Sequence, residues 1–338
     1  MNLVRPNFLV MLALIAAIST LGACGGTDSS SSATGDTTSP TSPTNPTSPT
    51  NPSGTTSTVS IKCPTSDSGI TNTNPALNGI AVNQPYTYSW TCSTSSRVLS
   101  ANGIPNHSVT GGSFATAVSV QSVSATYPLT PALTNLTATA VMPSGHALNG
   151  IKLDPGTAGT CNNSGICDPA GNGGAWHMEA LSPSSSFSFG TDSSNGHVQP
   201  NGAYHYHGVP NGLVLKLGGG TNLITLVGWA PDGFPIYSLY GYSTATDAKS
   251  TVRLMTGSWQ LKSTPNAGRP STTVYAMGAF TEDWNYVAGS GDLDECNGRF
   301  DVTPEFPQGI YHYYITQTYP YVQRCVKGTA AISGPPRP

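Results

Sequence analysis

The sequence predicts a mainly β protein: one large β-rich domain, sandwich-like or an irregular barrel, with short helices, preceded by a disordered tether. Tyr86, Tyr88 and Trp90 alternate with hydroxyl residues, which is the period of two expected of a half-buried strand. Glycine and proline occur 38 and 28 times, which indicates many turns. No apolar stripe of helical period extends beyond about three turns.

The chain begins with a predicted export signal at residues 1–23. Arg5 supplies its positive charge, and residues 8–18 form an apolar run that is too short to span a bilayer. The following Leu21-Gly22-Ala23-Cys24 resembles the bacterial lipobox, in which a peptidase cuts before the cysteine and its sulfur receives diacylglycerol. The resemblance implies a lipidated Cys24 and stable anchoring in a membrane. An ordinary signal peptide with a chance cysteine is the alternative.

The residue after Cys24 is Gly25 rather than aspartate. In proteobacterial lipoproteins this pattern implies sorting to the outer membrane. We therefore expect a lipid-anchored domain that faces either the periplasm or the medium, with the membrane as a partner through the lipid.

Residues 24–58 join the cysteine to a low-complexity stretch of Ser, Thr and Pro. Such a stretch lacks apolar side chains to bury, so burial cannot offset the entropy that is lost on ordering. We expect a disordered tether, which in extended polyproline II form would reach roughly 90 Å. The folded β domain is placed at residues 59–328, and a disordered tail at 329–338.

Short segments rich in β-branched and aromatic residues follow, with Gly, Pro, Asn and Ser between them. A short helix is expected near residues 246–254. Beyond the tether we find no internal repeat. Further strands are expected at residues 117–124, 133–142, 213–217, 223–229 and 310–316.

Cysteines other than Cys24 are even in number, which in an exported protein indicates disulfides. Spacing alone leaves several pairings open, and we favour neighbours in order. Metal binding by thiolates is disfavoured because the chain has no C-x-x-C pair and the compartment is oxidising. The favoured pairs are Cys63–Cys92, Cys161–Cys167 and Cys296–Cys325.

Composition limits the classes of partner. Charged residues make up 9% of the chain, against roughly 25% in an average protein, and the net charge is −3. No basic patch is visible, so we expect no nucleic-acid partner. The 15 Tyr and 5 Trp residues, on a tethered domain, would suit a surface module that binds a glycan or a protein.

Histidines are concentrated in one short segment, at His197, His205 and His207. If residues 204–207 are extended, His205 and His207 project from one face, about 7 Å apart. The turn at residues 200–202 could then bring His197 beside them. Imidazoles in this pattern are typical ligands of zinc or copper. The alternative is a polar strand whose rings hydrogen-bond buried backbone groups.

Other polar residues are weaker candidates. As further metal ligands we name His177, Glu179, His107 and His312. Asp232 and Glu295 are candidate partners of a histidine that acts as a general base. The sequence contains no G-x-S-x-G elbow, P-loop or H-E-x-x-H motif, so no standard catalytic class is indicated and the catalytic residues are unknown.

The segment from Asn201 to Pro210, which contains Tyr204-His205-Tyr206-His207, resembles the signature of the YHYH domain family. The resemblance covers roughly residues 86 to 328. Two departures are Ser238, where the family usually has glycine, and Pro231, where leucine or a similar residue is usual. Other resembling segments occur in the same order at residues 102–107, 148–151, 228–237, 293–300, 309–314 and 319–325.

The resemblance implies no activity, because none is settled for that family, but it draws attention to His205 and His207. We rank three hypotheses for the function. The first is an extracytoplasmic domain that binds copper or zinc. The second is a glycan- or protein-binding module without metal. The third is a hydrolytic or redox enzyme that uses the same histidines.

Overall fold

The structure, a computed structural model, describes residues 63, 66–70, 82–134, 138–169, 171, 173–182 and 187–330. All of these residues belong to one compact unit, Ser57–Pro338. The predicted signal peptide, Cys24, the tether and residues 331–338 of the tail lie outside the described residues, so the boundaries given to them stay predictions. In the described part, none of the helices has the length and apolar character needed to cross a membrane.

Strands dominate the regular structure of the described residues, which confirms the predicted mainly β class. Within the same residues there is one α-helix, α1 at Asn211–Lys216, and one 3₁₀ helix at Thr281–Asp283. The strands, in chain order, are β1 Asp67–Ile70, β2 Pro85–Cys92, β3 Ser96–Ala101, β4 Val123–Pro128, β5 Thr139–Ala140, β6 Gly145–Ala147, β7 Lys152–Leu153, β8 Thr160–Cys161, β9 Cys167–Asp168, β10 Trp176–His177, β11 Gly196–Val198, β12 Tyr204–Tyr206, β13 Thr225–Trp229, β14 Pro235–Ser238, β15 Tyr240–Tyr242, β16 Val252–Leu254, β17 Trp259–Leu261, β18 Trp284–Tyr286, β19 Gly298–Asp301, β20 Ile310–Ile315 and β21 Cys325–Val326.

Two sheets contain most of these strands. The smaller has the order β1-β2-β3-β4, and the larger has eight strands in the order β11-β12-β7-β6-β13-β14-β20-β19. Trp90 and Tyr127 of the smaller sheet pack against Trp229 of the larger one. The Trp90 indole N–H also donates to the Leu148 carbonyl at 2.9 Å. These contacts pack the smaller sheet against the larger one. Smaller sheets are β10-β8-β9, β15-β16, β17-β18 and β21-β5.

The eight-stranded sheet consists of two halves with the same connectivity. In the first half β6 and β7 are antiparallel, β7 runs parallel to β12, and β12 is antiparallel to β11. In the second half β13, β14, β20 and β19 are joined in the same way and in the same chain order. The halves meet at β6 and β13, where His146 lies opposite Trp229. The sheet therefore has an approximate two-fold repeat.

Sequence and hydrogen bonding agree with this repeat. Asn149 donates to the Tyr206 hydroxyl at 2.9 Å, and at the matching positions the Tyr313 hydroxyl donates to Asp232 at 2.6 Å. Our expectation of no repeat beyond the tether is therefore wrong. The repeat is hard to see in the sequence because the segments between the matching strands differ in length and in most residues. The matching segments are Gly145-His-Ala-Leu-Asn-Gly-Ile with Gly228-Trp-Ala-Pro-Asp-Gly-Phe, Asp192-Ser-Ser-Asn-Gly with Asp294-Glu-Cys-Asn-Gly, and Tyr204-His-Tyr with Tyr311-His-Tyr.

Some predicted elements are confirmed and others are wrong. Strands β13 and β20 lie within the predicted 223–229 and 310–316. The predicted strand at 213–217 is instead most of helix α1, because short apolar runs do not distinguish the two periods. The predicted helix at 246–254 is a turn followed by β16, since Ser250 and Asp247 close the turn with a hydrogen bond of 2.7 Å.

Two further strand predictions hold only in part. Residues 117–122 are irregular, and the predicted strand at 117–124 begins only at Val123. In the predicted 133–142, β5 and an isolated bridge between Leu133 and Gly328 form, and residues 135–137 are outside the described set.

The six cysteines are bonded in the favoured order. Cys63–Cys92 holds the end of β2, Cys161–Cys167 closes the β8–β9 hairpin, and Cys296–Cys325 joins the turn before β19 to β21. The last of these links the second half of the large sheet to the end of the domain.

Candidate metal centre

The local sequence forms the hairpin that carries the histidines. Asp192 accepts backbone N–H bonds from Ser194 and Gly196 at 2.8 and 3.0 Å, and its other oxygen accepts the Tyr204 hydroxyl at 2.6 Å. Gly196 is required beside this contact, because a Cβ there would overlap the Tyr204 hydroxyl. The carboxylate thus fixes where β11 begins and holds it against β12.

Three imidazole rings meet on one face of this hairpin. His197 and His205 lie directly opposite each other in the β11–β12 register, and His207 follows His205 by two residues. The ring centroids are 4.5 Å apart for His197 and His205, and 4.7 Å apart for each of the other two pairs. One nitrogen of each ring can be chosen so that all three lie within 4.8 Å of one another. The predicted convergence of His197 with the His-x-His pair is present in the fold.

Two of the rings are oriented by backbone carbonyls. The Nδ1 atoms of His197 and His205 lie 2.9 Å from the Phe189 oxygen and 3.3 Å from the Ala203 oxygen. Because a carbonyl oxygen only accepts, each Nδ1 carries the proton and each Nε2 keeps its lone pair. Histidines that bind a metal through one ring nitrogen usually donate the N–H of the other nitrogen to an oxygen in this way.

His207 differs from the other two. It is 1% exposed, and neither Nδ1 nor Nε2 has a hydrogen-bond partner among the described residues. An unsatisfied buried polar group costs on the order of 1–3 kcal/mol, and an ion that binds it is one accepted explanation. The alternative reading, rings that only bond buried backbone groups, therefore fits His197 and His205 but not His207.

Electrostatics keep the cluster in the form that binds metal. Burial lowers the pKa of His197, and it lowers the pKa of His205 and His207 well below the ordinary value. Repulsion between the rings lowers the pKa of His205 and His207 further. Neutral imidazole is the protonation state that a metal requires, so the fold prepares all three ligands.

The weaker ligand candidates are occupied elsewhere. His177 makes two hydrogen bonds to the Glu282 carboxylate. Its ring Nδ1 lies 2.5 Å from Oε1, and its backbone N–H donates to Oε2 at 2.9 Å. Glu179 forms a buried ion pair with Arg324. Neither residue belongs to the His197 cluster, which is the one group of three or more possible ligands among the residues described.

The remaining two histidine candidates also lie apart from the cluster. His107 Nε2 is 2.5 Å from the Tyr206 hydroxyl, so it meets a side chain on the opposite face of β12. His312 is fully buried, with its ring centroid 4.9 Å from that of Tyr237 and 4.8 Å from that of Tyr314. It occupies in β20 the position that His205 has in β12.

The acid–base candidates have structural partners. Asp232 accepts the Tyr313 hydroxyl at 2.6 Å and the Gly328 N–H at 3.0 Å, and Glu295 pairs with Lys327. Asp232 lines a cavity of 410 Å³ that none of the three clustered histidines lines. The enzyme hypothesis, which needs these groups in one cleft, is not supported by this arrangement.

Asp154 is a site residue that our sequence reasoning missed. It follows β7, which runs parallel to β12, and it is 4% exposed. Its Oδ2 accepts from Lys152 Nζ at 2.8 Å, while its Oδ1 is buried without a hydrogen-bond partner in the described structure. Only the pairing of β7 with β12 reveals that this carboxylate lies beside the histidines.

The sequence of the chain matches one known protein family. The family described as YHYH protein matches residues 124–328, more than half of the 338-residue chain. The chain belongs to the YHYH protein family. The matched residues contain the whole eight-stranded sheet and the three clustered histidines. The segment at residues 102–107, which resembles the family in sequence, precedes the matched residues. No curated protein and no solved structure gives a match.

Proposed function

We propose that this YHYH-family chain binds one zinc or copper ion through His197, His205 and His207. The observation that carries the proposal is His207, whose two buried nitrogens have no hydrogen-bond partner in the described structure. Its ring is one corner of a triangle of neutral imidazoles, and both zinc and copper accept such ligands. Export and lipidation at Cys24 stay predictions from the sequence, and with them this would be a metal-binding domain outside the cytoplasm.

Because the proposed ligands are buried, they suit a structural ion better than a catalytic one. His205 and His207 are 2% and 1% exposed, and His197, on the edge strand β11, is the most accessible of the three. A hydrolytic metal site keeps one coordination position open to water or substrate. The ion would therefore link β11 to β12 and stabilise this edge of the sheet, and it would exchange on the His197 side.

The test is the metal content of the mature full-length protein, produced without a histidine tag. We expect one zinc or copper ion per chain by native mass spectrometry and elemental analysis. His205→Ala and His207→Ala should each lose the ion, while the control His177→Ala should keep it, because His177 pairs with Glu282 outside the cluster. Free metal at 100 times its Kd should stabilise the wild type by about 2.7 kcal/mol.

The melting temperature of each metal-free variant shows whether it folds. If the wild type retains no ion, and neither Zn²⁺ nor Cu²⁺ raises its melting temperature, the proposal is wrong.

A further inference from the structure

Asp154 lies in register with His207. The parallel pairing of β7 and β12 sets Lys152 opposite His205 and Leu153 opposite Tyr206, and the Asp154 N–H donates to the Tyr206 carbonyl at 2.8 Å. The next residues on the two strands are Asp154 and His207. Residues paired across neighbouring strands project to the same face, about 4.8 Å apart. The Asp154 carboxylate therefore shares the face of the histidine cluster.

The unsatisfied groups of Asp154 and His207 are complementary. Asp154 Oδ1 is a buried acceptor without a donor, and His207 has two buried ring nitrogens without partners in the described structure. Lys152 Nζ holds the other carboxylate oxygen, Oδ2, at 2.8 Å and itself bonds Gln199 Oε1 at 3.1 Å. If one nitrogen of His207 binds an ion, its other nitrogen carries a proton that needs an acceptor.

The second half of the sheet shows where a side chain at this position points. Tyr237 takes the place of Asp154, and it is paired with Tyr314, which takes the place of His207. The Tyr237 ring lies 4.9 Å from that of His312, the equivalent of His205, and 6.3 Å from that of Tyr314. A side chain at the position of Asp154 therefore reaches the positions that His205 and His207 occupy in the first half.

We propose that Asp154 accepts a hydrogen bond from the ring N–H of His207 and so positions His207 as a ligand. This rests on the proposed function and names the positioning residue of that site. The carboxylate fixes which His207 nitrogen faces the ion, raises the basicity of that nitrogen, and places a negative charge near the bound cation. Lys152 keeps the carboxylate in place from the other side. Imidazole ligands supported by a carboxylate suit divalent zinc or copper, whereas Cu⁺ prefers sulfur ligands.

The test compares metal affinities of Asp154→Asn and Asp232→Asn with that of the full-length wild type, by competition with a chelator of known affinity for Zn²⁺. We expect Asp154→Asn to bind about 10- to 100-fold more weakly. Asp232→Asn is the matched control: it also neutralises a buried carboxylate, but it lies in the other half of the sheet at the position where the first half has Asn149. Its affinity should equal that of the wild type.

A second measurement does not depend on any variant at Asp154. In the zinc-loaded wild type, NMR should show an exchange-protected ring N–H of His207, assigned by through-bond correlation from the ring to the His207 backbone. Equal zinc affinity of Asp154→Asn and wild type, or absence of this protected proton, would overturn the role of Asp154 while leaving the metal site standing. A wild type that binds no zinc or copper would instead overturn the proposed function itself.

Discussion

Among single residues, His146 is a clear source of acid sensitivity. It lies buried in β6, where Nδ1 and the Tyr127 hydroxyl share a hydrogen bond. Burial, with a smaller contribution from Lys152, lowers the pKa of His146 from 6.5 to about 4. The unfolded chain takes up a proton near pH 6.5, whereas the folded protein does not until about pH 4. The stability that this residue contributes is therefore complete above pH 6.5 and declines as the pH falls towards 4.

His146→Asn should isolate this effect, because asparagine keeps a hydrogen-bonding group for Tyr127 but does not titrate. Between pH 7 and pH 4.5, the free energy of unfolding of the wild type should fall by about 2–3 kcal/mol more than that of the variant, measured with urea. Buried carboxylates act in the opposite direction, such as Asp192, whose pKa burial raises to about 6. They are present in both proteins and cancel in the comparison. Equal pH dependence would show that His146 is not the source.

The site residues differ in how far the sequence could predict them. His205 and His207 follow from the period of two in a strand, and His197 from the turn that precedes them. Asp154 depends on a parallel pairing between strands that are far apart in the sequence, and no local pattern encodes that pairing. Glu179 and His177 stood out as charged or ligating residues near the cluster in sequence, yet their partners Arg324 and Glu282 come from distant segments.

At the level of strands and hairpins, the two halves of the sheet supply a matched experiment. Gly196 and Gly298 occupy equivalent positions, opposite Tyr206 and Tyr313, and a Cβ at either would overlap a tyrosine hydroxyl, of Tyr204 or Tyr311. We expect Gly196→Ala and Gly298→Ala each to lower the free energy of unfolding by about 1–3 kcal/mol, as in other overpacked sites.

Metal affinity should separate the two substitutions. Gly196→Ala displaces the hairpin that carries all three histidines and should weaken zinc binding, whereas Gly298→Ala should leave it unchanged. Calorimetric melting and chelator competition measure the two effects. If both variants bind zinc as the wild type does, the close contact between Gly196 and Tyr204 does not control the geometry of the site.

The prediction of secondary structure failed where a short apolar segment is compatible with both a strand and a helix. The alternation of leucines at 213, 215 and 217 is equally that of a strand, but the structure buries Leu213 and Val214 and leaves Leu215 71% exposed in helix α1. The aromatic alternation of residues 86–90 gave the correct answer because every residue of β2 is paired, the first half of the strand with β1 and the second half with β3. Local pattern therefore sufficed for long paired strands and failed for a helix of fewer than two turns.

For the whole molecule, the repeat explains which features belong to the scaffold and which to the site. Both halves keep the aspartate, asparagine and glycine that form the turn before the edge strand, and both keep a Tyr-His-Tyr strand. The halves differ at two of the three positions of the proposed ligands. Arg299 replaces His197 and Tyr314 replaces His207, and both bond Asp301, which stands where the first half has Gln199. A buried ion pair and a hydroxyl thus take the role that we assign to a metal ion.

This equivalence leads to a prediction for the whole sheet. Substituting Arg299→His, Tyr314→His and Asp301→Gln together, with His312 retained, would give the second half the same three imidazoles in the same register. Because the backbone pairing of the two hairpins is the same, we expect a second zinc ion per chain, counted by native mass spectrometry. Adding His312→Ala to the triple variant should return the count to one. A folded triple variant that binds only one ion would mean that the strand register alone does not make the site and that a further group, such as Asp154, contributes to it; Tyr237 stands at that position in the second half.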